Sequence, residues 1–439
     1  MFAPRSIGLE IHLILKTKMN EVRRALLVAS LALVSTVSAQ RLSPLAPAPD
    51  WNDLEPYQET ITRGEFARLL DNIYAPMQAA AGLIEIGNDA VVIRTHLVLG
   101  ETFTLRFAKD GAPAKAVPRY WRAIPANTNP AHPLAGMKIA IDPGHLGGDW
   151  AKMEGRWYQI GETIPVTEGD MTLRVARLLA PQLTALGAEV SLVRDAPGPT
   201  TPERPENFRE AARAELALEG VVNPPETYSG PGDPQRGASV QFQSEQLFFR
   251  NAEIRHRAML VNTKLRPDLV LCLHFDADAW GEPGAPVFTP NNGLHALIHG
   301  TCSAAELRND DVRHDMLLKL LDHTADAEIA ACNTIVQTLA RRLALPPHIY
   351  TRDNASRPGA SPYVWARNLL ANRLYRCPVV FLEPYAMNNR EVWERIQAGD
   401  YEGEREVAGS IRPSIFREYA DAVAEGVRAC FGGKAAGAP

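Results

Sequence analysis

From Met137 onward the chain alternates between short apolar segments and longer segments whose apolar residues have helical spacing. Short apolar runs are typical of buried strands, and the spacing of Met171, Val175 and Leu179 is typical of one helix face. Strands that alternate with helices favour a largely parallel sheet covered by helices on both faces, so the predicted fold class is α/β. The predicted strands are Lys138–Asp142, Glu189–Arg194, Leu269–His274, Leu294–Ile298 and Val379–Leu382. The predicted helices cover about residues 168–186, 244–265, 326–344 and 411–430.

The first 39 residues have the pattern of a secretory signal peptide. Arg23 and Arg24 precede an apolar run, and small residues follow up to Ala39. The run is shorter than the roughly 20 apolar residues of a membrane span, so we expect cleavage after Ala39 and no stable membrane span in the mature chain. Met19 is an alternative start, since residues 1–18 do not improve the signal. The expected location is the periplasm or the cell wall.

The rest of the chain is long enough for two domains. Residues 40–135 are predicted to form a small α+β accessory module that ends in a Pro-rich linker. Residues 136–435 are predicted to form the main domain. In the module, Thr62 and Glu65 have the spacing of a helix capping box. Three strands are predicted to follow, at Leu83–Ile86, Ala90–Thr95 and Thr102–Phe107.

Charge and cysteine content argue against some functions. Removal of residues 1–39 takes away five basic and two acidic residues, so the formal net charge moves from −5 to −8. An acidic exported protein is a poor binder of nucleic acid, and no nucleic-acid partner is expected. The five cysteines show no C-x-x-C spacing, which argues against a zinc site made of thiolates. Cys272, inside an apolar strand, is expected to be buried and free, and the pairing of the others stays open.

Four side chains stand at or beside the ends of predicted elements. His145 follows the first strand and a Pro-Gly turn, Glu168 begins a helix, and His274 and Glu383 close strands. In α/β sheets, ligands gather at the carboxyl ends of strands. Two imidazoles and a carboxylate are the ligands of a catalytic zinc site that keeps one position open for water, and a second carboxylate can serve as the base. The pattern therefore predicts a zinc hydrolase.

Each of these residues also has a structural interpretation. Glu168 could be a carboxylate favoured by a helix N-terminus, and Glu383 could pair with an arginine such as Arg352 or Arg357. His295 and His299 are neighbours on one face of a predicted strand, but neither has a turn or a carboxylate beside it in the sequence, so they are not chosen as ligands.

Taken in order, the four residues and their surroundings resemble the zinc-dependent N-acetylmuramoyl-L-alanine amidases often called amidase type 3. That family has a strand ending in D-P-G-H, a helix opening E-x-D-x-x-L, a strand ending in an apolar-x-H and a late strand ending in glutamate. The matching segments are Ile141–His145, Glu168–Leu173, Val270–His274 and Val379–Glu383, and the resemblance spans about residues 136–432.

The resemblance implies a zinc amidase domain at 136–435, with Zn²⁺ bound by His145, Glu168 and His274 and with Glu383 as the general base. The implied reaction is hydrolysis of the amide between N-acetylmuramic acid and L-alanine of the peptidoglycan stem peptide, without an organic cofactor. Two alternatives stay open: another zinc amidohydrolase or exopeptidase acting on small peptides, and a non-catalytic wall-binding protein with a relic site.

The sequence departs from the family pattern near the site. Leu146 displaces the glycines that follow the first histidine, and Gly169 stands where the family commonly has lysine. The interval from His145 to Glu168 is longer than usual, which leaves Glu154 and Glu162 as alternative ligands.

Regulation is also expected from the resemblance. Residues 300 to about 325 lie where related amidases can carry a blocking segment. A carboxylate from Glu306, Asp310 or Asp311 would cap the zinc until a protein activator moves it.

Overall fold

The structure, a computed structural model, describes residues 40–111, 114–123, 129–282 and 285–432. The predicted signal peptide, residues 1–39, lies outside the described residues, as do residues 124–128 of the predicted linker. Across the described ranges, no helix combines the length and the apolar character that a membrane crossing needs.

Strands and helices are numbered in chain order. The strands are β1 (Ile84–Ile86), β2 (Ala90–Arg94), β3 (Thr102–Arg106), β4 (Lys138–Pro143), β5 (Trp157–Tyr158), β6 (Val166–Thr167), β7 (Glu189–Leu192), β8 (Leu269–Leu273), β9 (Gly281–Glu282), β10 (Ala285–Pro286), β11 (Leu294–Ile298), β12 (Val364–Ala366), β13 (Val379–Pro384), β14 (Glu404–Val407) and β15 (Ser410–Pro413). The α-helices are α1 (Arg63–Leu69), α2 (Trp150–Glu154), α3 (Glu168–Ala185), α4 (Arg209–Leu218), α5 (Val240–Gln246), α6 (Glu253–Met259), α7 (Ala304–Leu307), α8 (Asp310–Leu321), α9 (Thr324–Leu343), α10 (Leu370–Leu374), α11 (Arg390–Gln397) and α12 (Ile415–Phe431). Short 3-10 turns cover Trp51–Tyr57, Pro205–Phe208 and Arg236–Ala238, and π turns cover Leu70–Tyr74, Leu247–Ala252 and Leu260–Leu265.

The main domain is α/β and is built on a six-stranded sheet with the order β12-β11-β13-β8-β4-β7. Strands β13, β8, β4 and β7 are parallel neighbours, as predicted. Strand β11 runs antiparallel to β13, and the unpredicted strand β12 runs parallel to β11, so the sheet is mixed. Parallel neighbours need a long crossover, usually a helix. Among the described residues between β8 and β11, the short β9–β10 hairpin is the only regular structure, and the lack of a crossover helix there accounts for the reversal.

Helices cover both faces of this sheet. The side chains of Ile139 and Ile141 pack into a large core with α3, α9 and α12, whereas Ala140, between them, packs into a second core on the other face. Alternation along β4 thus follows from the period-two geometry of a strand with both faces buried.

Most predicted helices are confirmed, with shifted ends. The predicted helix 244–265 begins earlier, at Val240, and includes two π turns before it ends at Leu265. The predicted helix 411–430 is wrong at its start, because β15 occupies Ser410–Pro413 and α12 begins at Ile415. Proline and serine at 413 and 414 interrupt the helix there, since proline lacks the N–H that a helix interior uses.

The N-terminal segment forms the antiparallel sheet β1-β2-β3 beside α1. Thr62 caps α1 by accepting a hydrogen bond from the backbone N–H of Glu65. Residues of this segment, among them Phe66 and Val91, belong to the same large core as the main domain. The backbone N–H of Thr301 donates to the carbonyl of Ile73 at 2.8 Å, so the segment packs directly on residues 300–325.

The carboxylates of residues 300–325 have partners of their own. Glu306 completes the capping box of α7 with Ser303, Asp310 pairs with Arg313 at 2.7 Å, and Asp311 accepts from the backbone N–H of Leu42. The structure therefore engages these three groups in packing contacts, and the expectation that one of them caps the metal site finds no support.

Cys272 is buried and free, as predicted. Cys302, Cys332 and Cys377, which also lie in described ranges, are likewise buried and free, and Cys430 is buried.

Candidate metal centre

The turn after β4 brings His145 and His274 together. The backbone N–H of Gly144 donates to the carbonyl of Leu273, which joins the ends of β4 and β8. A Cβ atom on Gly144 would lie 2.1 Å from Cε1 of His274, so only glycine leaves room for that ring. His145 then adopts a φ of 61°, a left-handed conformation that is uncommon for a residue other than glycine. The chain accepts a strained residue here in order to turn its imidazole toward His274.

Glu168 supplies the third group from the first residue of α3, and it is almost fully buried. Its Oε1 accepts from the backbone N–H of Phe275 at 3.1 Å and lies 3.2 Å from Nδ1 of His274. Its Oε2 lies 3.3 Å from Nε2 of His145 and 3.6 Å from Nη1 of Arg156, but it accepts no hydrogen bond from the described residues. A buried carboxylate oxygen without a hydrogen-bond donor is costly unless a cation completes its surroundings.

His145, Glu168 and His274 therefore form one cluster. One ligand atom from each lies within 4.8 Å of those of the others. Two donors at the usual 2.0–2.1 Å from a tetrahedral zinc ion are roughly 3.3 Å apart, which matches the two carboxylate–imidazole distances. The donor set fits a zinc site.

The electrostatic surroundings keep Glu168 ionised. Burial alone raises the pKa of a carboxyl group, but His145, His274 and Arg156 together lower the pKa of Glu168 to about 2. The carboxylate is thus available as a ligand at any neutral pH.

Glu154, one of the two alternative ligands considered from the sequence, instead contacts the side chain of His145. Its Oε1 lies 2.6 Å from Nδ1 of His145, and its Oε2 accepts from the backbone N–H of Leu146 at 2.7 Å. Burial raises its pKa, but these two neighbours lower it below the usual value. A carboxylate on the remote nitrogen of a metal-binding histidine fixes the orientation of the ring. Glu162, the other alternative, is exposed and outside the cluster.

Leu146 and Gly169, two departures from the family pattern, lie next to each other in the structure. A Cβ atom at Gly169 would lie 2.2 Å from the backbone carbonyl of Leu146. The residue inserted after His145 thus brings the loop against the start of α3, and a side chain such as lysine at position 169 has no room there.

Glu383 lies near the end of β13, with its side chain 20% exposed, and its partner is a histidine that sequence reasoning set aside. Its Oε2 lies 2.8 Å from Nε2 of His295, so the view that His295 has no carboxylate context is wrong. Neither Arg352 nor Arg357 takes this place. Burial raises the pKa of Glu383, but His295 and His274 hold it well below its usual range. His295 and Glu383 are paired by the antiparallel register of β11 and β13, and this register cannot be read from the sequence.

The buried side chain of Arg257 holds the His145 turn in place through hydrogen bonds. Arg257 donates to Asp142 at 3.0 Å and to the carbonyls of Pro143 and His145, while the hydroxyl of Tyr375 donates to Asp142 at 2.6 Å. Arg257 was not predicted to lie at the site. An arginine before the second histidine strand and an aspartate before the Pro-Gly turn were the available signals.

A cavity of about 270 Å³ gives access to these groups. Its lining includes His145, His274, Glu383 and the cation of Arg156, which lies 3.6 Å from Glu168. Two imidazoles, the carboxylate of Glu383 and a cation thus line one space, and the carboxylate of Glu168 lies against both imidazoles, an arrangement that can bind a metal ion and move a proton.

Several solved structures are similar to the chain. Three of them are the N-acetylmuramyl-L-alanine amidase Ami1 from Mycobacterium smegmatis (17% identity, TM-score 0.34, 67% of this chain and 95% of that one), apo Ami1 from Mycobacterium abscessus (15%, 0.33, 67% and 97%), and the N-acetylmuramoyl-L-alanine amidase AmiC2 of Nostoc punctiforme (15%, 0.34, 67% and 96%). No family model matches the chain, and no curated protein matches it. Similarity at these values leaves the activity to be argued from the residues of the chain itself.

Proposed function

We propose that the chain is an exported zinc-dependent hydrolase that cleaves the amide between N-acetylmuramic acid and L-alanine in peptidoglycan. The observation that carries the proposal is the cluster of His145, Glu168 and His274, whose two histidines line one cavity together with Glu383. The choice of substrate comes from the resemblance of the four sequence blocks to amidase type 3. Peptidoglycan as substrate also agrees with the predicted signal peptide at residues 1–39.

His145, Glu168 and His274 would hold the zinc ion. When bound, the ion would polarise the scissile carbonyl and lower the pKa of a coordinated water. Glu154 keeps the ring of His145 oriented, and Arg257 keeps the turn in place.

Glu383 acts as the general base. Because its carboxylate is ionised at neutral pH and lines the cavity, it can accept a proton from the attacking water and return it to the amine nitrogen as the amide bond breaks. His295 holds one oxygen of this carboxylate at 2.8 Å, which restricts the positions of the other. The cation of Arg156 adds positive charge to the cavity, where the carbonyl oxygen becomes negative as water attacks.

The proposal is tested by digestion of purified sacculi with the mature chain that begins at Gln40. Mass spectrometry should find free stem peptides with N-terminal L-alanine and intact glycan strands. Release of single amino acids or shortened peptides would instead identify an exopeptidase. Zinc-loaded protein that binds sacculi and releases nothing would identify a wall-binding protein. Glu383→Gln is the matched control, because it retains the ligands and lacks the base.

A further inference from the structure

A second group of ligand-type side chains lies behind Glu383. Asp276, His295 and His348 each offer one ligand atom, and these atoms lie within 4.8 Å of one another. We call these three residues the His295 cluster. None of the three was chosen as a ligand from the sequence, and of the three His295 also contacts Glu383 of the first site, at 2.8 Å.

Backbone hydrogen bonds hold all three segments in place. The N–H of His348 donates to the carbonyl of Leu294, and the N–H of Leu294 donates to Pro346, which fixes the His348 loop against β11. The N–H of Asp276 donates to Pro384 at 3.2 Å, at the end of the strand that carries Glu383. The cluster is therefore an assembled arrangement of three segments and does not depend on long flexible side chains.

The chemistry of the cluster suits a divalent cation. Two imidazole nitrogens and a carboxylate oxygen are ligands of zinc and of other transition metals. Asp276, Glu383 and Asp278 add negative charge around His348, and this charge raises the pKa of its imidazole. His295 is fully buried, and its Nδ1 has no hydrogen-bond partner among the described residues. Two arginines, Arg352 and Arg367, line the cavity beside the cluster, and Arg367 donates to the hydroxyl of Tyr350 at 3.4 Å.

An ion can reach the cluster from solvent. A cavity of about 700 Å³ is lined by Asp276, His348 and Tyr350, none of which lines the cavity at the His145 site. The side chains of Asp276 and His348 are 18% and 27% exposed, so an ion could exchange there without unfolding the chain.

We propose that Asp276, His295 and His348 bind a second divalent metal ion of the zinc class, next to Glu383. The competing explanation is a network without metal, in which His348 pairs with Asp276 at 3.0 Å and His295 pairs only with Glu383 and Tyr350. The two explanations differ in the number of ions per chain. This difference does not depend on the reaction that the protein catalyses.

The test counts zinc ions. Purified mature protein is stripped with a chelator, incubated with Zn²⁺ alone, passed through gel filtration, and measured by native mass spectrometry and elemental analysis. Wild type should hold two ions per chain, His348→Gln one, His145→Ala one, and the double variant none. Asp276→Asn should repeat the result of His348→Gln. The matched control is His132→Gln, which changes an exposed histidine beside Gly187, at the other end of the sheet.

Each outcome decides the proposal. Equal ion counts in wild type and His348→Gln, or a single wild-type ion that only His145→Ala removes, would overturn it. A single ion that His348→Gln removes and His145→Ala retains would support the second site and reject the first. A zinc-edge anomalous map of wild-type crystals needs no variant, and it should show a peak bounded by Asp276, His295 and His348. A map without that peak contradicts the proposal.

Discussion

Gly144→Ala tests whether His274 binds the metal, because the three atoms nearest to the added Cβ all belong to that ring. The new Cβ would lie 2.1 Å from Cε1, 2.3 Å from Nε2 and 2.5 Å from Nδ1 of His274. The ring cannot easily retreat, since it stacks on Phe381 with 4.2 Å between ring centroids. We therefore expect the substitution to displace the imidazole from its position 3.2 Å from Glu168.

The size of the effect follows from the cost of overpacking a filled site. One extra methyl group in a well-packed region typically costs about 1–3 kcal/mol. If that strain is relieved by moving His274, it appears as lost zinc affinity. Since 1.4 kcal/mol corresponds to a factor of ten, affinity should fall about 5- to 150-fold.

The assay is competition for zinc with a chromophoric chelator, together with thermal unfolding of the zinc-free proteins. Gly359→Ala is the matched control, because a Cβ there meets nothing within 4 Å. It should bind zinc like wild type. Wild-type zinc affinity in a folded Gly144→Ala protein would refute the reasoning, since His274 would then not be a ligand.

Three further substitutions test other parts of the account. Glu383→Gln should keep zinc while turnover falls by roughly 10²–10⁴-fold, as for loss of a general base; loss of the metal in this variant would make Glu383 a ligand. Glu154→Gln should weaken zinc binding about 10- to 100-fold in the chelator assay, because it loosens the orientation of His145; unchanged affinity would deny that role. Lys319→Met leaves the buried Glu328 without its partner at 2.6 Å and should lower the free energy of unfolding by about 3–5 kcal/mol in a urea titration. Adding Glu328→Gln should restore part of that loss, and a double variant as unstable as the sum of the two single variants would show that the pair does not interact.

Strands β4, β8, β11 and β13 of the main sheet were predictable because each is a short apolar run that is buried on both faces. The direction of β11 was not predictable in this way. A strand such as Leu294–Ile298, buried throughout, carries no periodicity that distinguishes parallel from antiparallel. Strand β12 is only three residues long and gives no pattern at all.

Because strand direction could not be predicted, the role of His295 at the candidate site was not predicted either. His145, Glu168, His274 and Glu383 stand at element ends, where local sequence shows them. His295 becomes a partner of Glu383 only through the antiparallel register of two strands that are distant in the chain. Such a contact is a tertiary property.

Gly169 illustrates the opposite case. As a single departure from the family pattern it could not be interpreted. In the structure it is the position that the carbonyl of Leu146 approaches, so the two departures explain each other.

Cleavage of a defined substrate tests the central claim most directly. Zinc-loaded mature protein is incubated with N-acetylmuramoyl-L-alanyl-D-isoglutamine, and the newly freed amine of L-alanine is measured by derivatisation and mass spectrometry. The account predicts that the amine appears, that chelation abolishes its release, and that added Zn²⁺ restores it. No amine from the zinc-loaded protein, or equal release after chelation, would contradict the account.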